Sequence, residues 1–183
     1  MTCAADRAAH PEGMILDEYA GRARRMLFTP ARPAPAGRLV RLAAAFAVAY
    51  MLLYAGLKLY MAARGEIGMP GSPAPEAVRA RFEHPAAAQA GNALLGVVAA
   101  AVVAATVARR GRWIPRWALL GALALGLLLQ SLGMAVTLRR QGLDVLSGGW
   151  AAAADGLGGA AQLTAWCVVI VSYHRRTRAE SVR

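Results

Sequence analysis

The side chains of this chain that are able to do chemistry recur at helical intervals. Tyr50, Tyr54 and Lys58 stand four apart, on one face of a helix. Lys58 is the only lysine among twenty-one basic residues, and it sits inside an aliphatic and aromatic run. Gln89, Asn92 and Gly96 follow three-then-four spacing. Gly126, Gln130, Gly133 and Thr137 make a third stripe, and Asp155, Gly159, Gln162 and Trp166 a fourth. An amine, a carboxylate and several amides suit the binding of a small molecule, an ion or a lipid headgroup. The candidate ligand-binding set is therefore Lys58, Asn92, Gln130 and Asp155, with Tyr54 and Gln162 as a floor and Glu66 from the following loop.

Catalysis has less support. There is no H-E-x-x-H, G-x-S-x-G or P-loop, and no pair of carboxylates within one apolar run. His10, His84 and His174 are too far apart to share a metal, so no metal site and no cofactor are expected. Cys3 lies in a polar tail and Cys167 in an apolar run, which argues against a disulfide framework, a structural zinc or a dithiol oxidoreductase. A lipid-modifying or cyclising enzyme working through Lys58, Glu66 and Asp155 is a further reading that no motif supports. The sequence points away from an enzyme rather than toward one.

The elements that must position these residues are apolar runs. The chain has 183 residues, 57% of them hydrophobic, which is too apolar for an ordinary soluble domain of this size. A bilayer core of about 30 Å needs roughly 20 helical residues. Four runs supply them, at about 42–63, 86–108, 117–138 and 152–173. None shows the charged face that a soluble bundle needs. The expected fold is all-α: an integral membrane four-helix bundle (39–175) with a polar N-terminal tail (1–38) and a basic C-terminal tail (176–183). Within the first tail, 15–28 suits a short amphipathic helix on the membrane surface, and a flexible segment fits equally well. Residues before about 35 hold few long apolar side chains to bury. "ARPAPAG" is an extended linker into the first span, and no cleaved signal peptide is expected.

The net charge of +11 does not require nucleic acid, because the arginines cluster between the apolar runs. Near the first span there are six, from Arg22 to Arg41; four lie between the second and third, and four close the chain. The two other loops and their flanks carry six cations, Lys58 included. Cytoplasmic segments are enriched in Lys and Arg, so both termini are expected inside, in the plasma membrane. Trp113, Trp117, Trp150 and Tyr173 fall near the predicted interfaces.

With that topology the polar stripes of four antiparallel helices all fall in the outer half of the bilayer. Polar groups in hydrocarbon are costly and are less so when they face one another or water. Lys58 then has two readings: it pairs with Asp155, or it snorkels about 8 Å to the outer interface. Asp155 also suits the start of a helix, and Gln130 and Gln162 suit bonds between helices. The glycines of "GEIGMPG" let the chain turn back over the bundle, bringing Glu66 toward Lys58. "APEAVRARFEHP" suits a short surface helix with Val78 and Phe82 facing lipid.

The stretch "YAGLKLYMAARGEIGMPG", with Tyr54, Lys58, Tyr60, Gly65, Gly68, Pro70 and Gly71, resembles a motif of small four-span membrane proteins of high-GC bacteria, mostly catalogued as domains of unknown function. Met61 and Ala63–Arg64 stand where that motif has a tryptophan and a second glycine. The resemblance implies the four-span architecture and no activity.

Two classes of function follow. One is a binding or transport-related membrane protein with an outer polar pocket. The other is a structural or interaction protein, such as an assembly partner, whose polar stripes serve packing. The expected partners are the lipid bilayer and either a second copy or another membrane protein. A cavity lined by Lys58, Asn92, Gln130 and Asp155 would favour the first class, and a solid core the second.

Overall fold

Pro33 and Pro35 keep the chain out of helix as far as Gly37 (φ −64°, ψ 165°), and α1 begins at once, Arg38–Ala63. The computed structural model describes residue 21 and residues 33–70, 72–108, 111, 113–141 and 149–178. The expected helix at 15–28, the rest of the tail to residue 32 and residues 179–183 lie outside the described residues.

The end of α1 is a glycine-terminated cap. Gly65 takes φ +65°, a left-handed conformation that other residues enter at a cost. Its N–H donates to the Ala62 carbonyl (3.0 Å) and the Glu66 N–H to the Met61 carbonyl (3.0 Å), the paired bonds of a Schellman turn. The chain then makes a two-residue antiparallel pairing of β1, Gly68–Met69, with β2, Ser72–Pro73, registered Gly68 to Pro73 and Met69 to Ser72. Gly68 takes φ +126°, which only glycine adopts freely. One turn of helix, α2 (Glu76–Arg79), carries an Arg79–Glu76 ion pair and is shorter than the surface helix expected there. Val78 is half-buried and Phe82 exposed. Pro85, whose missing N–H is no loss at a first helical position, opens α3, Pro85–Val107. α4 is Arg116–Gln141 and α5 is Gly149–Arg178.

Among the described residues, four helices are long and apolar enough to cross a membrane. They overrun the apolar stretches: α1 starts at Arg38 rather than 42, and α5 continues to Arg178 rather than 173. Backbone bonding does not stop where hydrocarbon does, and arginine stems tolerate the interface. α1 packs most extensively on α3 and next on α5. α4 packs on α5 and more thinly on α3. The bundle is thus an up-and-down ring in the order α1, α3, α4, α5.

Small residues make the core. Ala44, Ala47 and Met51 of α1 meet Ala100 and Val103 of α3, Leu123 of α4, and Ala165, Trp166 and Val169 of α5. Gly96 stands at a close approach: a Cβ there would lie 3.2 Å from Ala55 Cβ and from the Met51 carbonyl. Such small contacts let helices approach in lipid, where no hydrophobic force drives them together. Outward, Leu53, Leu94, Leu128 and Leu157 are exposed, as hydrocarbon solvent requires. Trp113 and Trp117 are exposed at the start of α4, whereas Tyr173, at a similar depth, turns inward and is buried.

Candidate functional site

Polar residues from α1 and α3 converge on one backbone oxygen at the end of the bundle that carries the loop between them. Lys58 lies on the buried stripe of α1 with Ala47, Met51, Ala55 and Met61. It is only 9% exposed, and its Nζ donates to the Gly68 carbonyl at 2.9 Å. Gln89, 1% exposed in the first turns of α3, donates Nε2 to the same carbonyl at 3.0 Å and to that of Glu66 at 3.3 Å. A carbonyl has two lone pairs and can take both donors. The left-handed Gly68 aims this oxygen back toward the helices. The Tyr54 ring completes the group, its centroid 5.4 Å from Lys58 Nζ, within reach of a cation–π contact. Lys58 therefore extends toward the C-terminal end of α1, where a loop carbonyl receives it.

The other expected members stand elsewhere. The Glu66 carboxylate bonds Arg64 (3.0 Å) rather than Lys58, so only its backbone carbonyl joins the group. Arg64 and Glu66 flank the turn at Gly65 and are well exposed, where a solvated pair forms at little cost. Hydrogen bonding to Glu66 raises the already high pKa of the Arg64 guanidinium. Asn92 is exposed. α3 turns Gln89, Ala93, Gly96 and Ala100 inward, because Ala93 and Gly96 permit close approach to α1. Asn92, about 100° round the helix from Ala93, falls off that stripe. Gln130 is half-buried, with Nε2 enclosed and without a hydrogen-bond partner. Gln162 is buried. Its Nε2 makes a long 3.5 Å contact to the Ala47 carbonyl, and its Oε1 has no partner. The side chains of Asp155 and Thr137 lie outside the described part of the molecule. The structure thus brings together Tyr54, Lys58 and Gln89, the last of which the spacing had placed on α3 without assigning it to the site.

A second polar group, at the opposite end, was not expected from the sequence. Arg176 of α5 donates Nη1 to the Ala34 carbonyl (3.0 Å), Nη2 to the Thr106 carbonyl (3.0 Å) and Nε to Ser172 Oγ (3.2 Å). Thr106 is in the last turn of α3, so Arg176 satisfies a terminal carbonyl and meets the negative end of that helix dipole. The guanidinium also lies 5.9 Å from the Tyr173 ring centroid. Arg116 Nη2 donates to His174 Nδ1 at 3.2 Å, which leaves the proton of a neutral imidazole on Nε2. Charge counting assigned these arginines to topology alone. The available signal was their position in the first and last turns of helices.

Among the described residues, no three His, Cys, Asp or Glu side chains gather as metal ligands would. No protein-family model matches the chain, and no curated protein or solved structure matches it.

Proposed function

We propose that this chain is a small multi-pass membrane protein of the structural or interaction class, whose outer polar residues strap the first outer loop across the bundle mouth. The observation that carries this reading is the convergence of Lys58 and Gln89 on the Gly68 carbonyl, 2.9 and 3.0 Å away. These side chains are spent on the protein's own backbone. The interaction half of the reading is supported by α4: only 11% of its apolar window is buried, against 28–33% for the other three, so it has the most surface for a partner helix or a second copy. The arginine distribution supports a plasma-membrane orientation with both termini cytoplasmic.

Amide hydrogen exchange on the purified protein in detergent tests the strap. Lys58→Met and Gln89→Leu should each speed exchange across residues 66–74 while leaving the centres of α1 and α3 protected. Unchanged exchange in both variants would defeat the reading.

A second reading, an outward-facing pocket for a small anion, has one observation in its favour. Lys58 has no carboxylate within ion-pair distance among the described residues. Under that reading inorganic phosphate or a short carboxylate raises the melting temperature of the native protein and not that of Lys58→Met.

A further inference from the structure

A groove of about 500 Å³ runs between α1 and α5 at the arginine-rich end. Its floor is apolar, with Val40 from α1 and Val168 and Val171 from α5. Its mouth carries Ser172, Arg175 and Arg176. From Arg176 to Val168 is eight residues, so the floor descends roughly 12 Å from the basic mouth toward the middle of the span. Both residues lie in or beside the last apolar window, so this floor faces hydrocarbon depth and the mouth faces headgroup depth.

We propose that the groove holds one anionic glycerophospholipid, its phosphate at the mouth and one acyl chain along the floor. Three features of the mouth fit a phosphodiester. Arg176 is fixed in place by two backbone carbonyls, which neutralise none of its charge. Arg175 is exposed beside it, with no carboxylate partner among the described residues. Ser172 Oγ accepts from Arg176 Nε, which leaves its own O–H to donate outward. Arg38 and Arg41, two before and one after Val40, add exposed positive charge at the same end of α1. No acid occurs anywhere in 33–65, 84–143 or 156–179, so none of the helix ends at this rim supplies a compensating carboxylate. A basic mouth above an apolar cleft between helices is the geometry that retains acidic lipid headgroups. The apolar floor excludes a free phosphate as the better occupant, because it leaves that surface uncovered.

The test is native mass spectrometry of the full-length protein in detergent, titrated separately with phosphatidylglycerol and phosphatidylcholine. The expected result is one retained phosphatidylglycerol, bound more tightly than phosphatidylcholine. Arg175→Gln should weaken phosphatidylglycerol roughly fivefold, the value of one arginine near an acidic headgroup. Val168→Trp, which fills the floor, should weaken both lipids. Arg139→Gln removes the same charge from an exposed site at the far end of α4 and should change nothing. Equal retention of the two lipids overturns the proposal. So does an Arg175→Gln protein that binds as the native one does, an Arg139→Gln protein that loses as much, or an unaffected Val168→Trp protein. Arg175 is exposed, so its substitution leaves the fold intact and the outcome readable.

Discussion

Trp166 is fully enclosed, yet its indole is satisfied: Nε1 donates to the Leu123 carbonyl at 2.9 Å. The ring reaches that carbonyl by passing over Gly126, where a Cβ would stand 2.6 Å from Cζ2. The two residues are therefore one fitting made of a large part and a small part. Gly126→Ala should destabilise the native protein by about 1–3 kcal/mol, the usual range for overpacking. In a Trp166→Leu background the same change should cost much less, because the opposing ring atom is gone. Thermal unfolding of the four proteins in detergent gives the coupling, and additive effects would separate the pair. At this scale the sequence was partly legible. The stripe containing Trp166 and Gln162 was visible from spacing, and both residues are buried. That a backbone oxygen rather than a side chain would receive Trp166, Lys58 and Gln89 was not visible, because carbonyl direction depends on helix rotation and on the left-handed Gly68.

The helices themselves were legible nearly to their ends, since the length of an apolar run is a direct requirement of the bilayer. Their rotation was less so. Asn92 and Gly96 shared a face by spacing, but packing chose Gln89 and then Ala93, Gly96 and Ala100, one small residue per turn. Polarity marks a candidate inward face only when it outweighs what steric fit offers. In α3 it did not: the α1–α3 seam is so close at Gly96 that an added Cβ would stand 3.2 Å from Ala55 Cβ, the Met51 carbonyl and the Tyr54 ring. Gly96→Leu should therefore force α1 and α3 apart and lift Gln89 from the Gly68 carbonyl, while Gly91→Leu, with open space around it, should be tolerated. The expected readout is a lowered melting temperature and faster loop exchange for the first variant only. A Gly96→Leu protein as stable as the native one would mean that the seam is looser than the contacts state.

For the whole molecule, the arginine distribution predicts an orientation that labelling can read. In a background of Cys3→Ser and Cys167→Ala, an impermeant maleimide should reach Ser72→Cys in intact cells and should fail to reach Ser181→Cys until the membrane is opened. Labelling of the second variant in intact cells would invert the topology. Composition identified the membrane class, because 57% apolar residues grouped in four runs leave few other solvents for the surface. It could not reveal that the two ends of the bundle are closed by different devices. At one end a loop folds onto helices it directly connects, 10 and 21 residues from its anchors. At the other, Arg176 joins Ala34 and Thr106, which precede it by 142 and 70 residues. These separations set a sequence in time. A ribosome adds about 5–20 residues per second, so Ala34 is made roughly 7–28 seconds before the arginine that secures it. The loop end can be fastened while the chain is still emerging. The arginine end must wait for the last helix, and until then α1 and α3 are held there by the packing of Ala44 and Ala47 on Ala100 and Val103 alone.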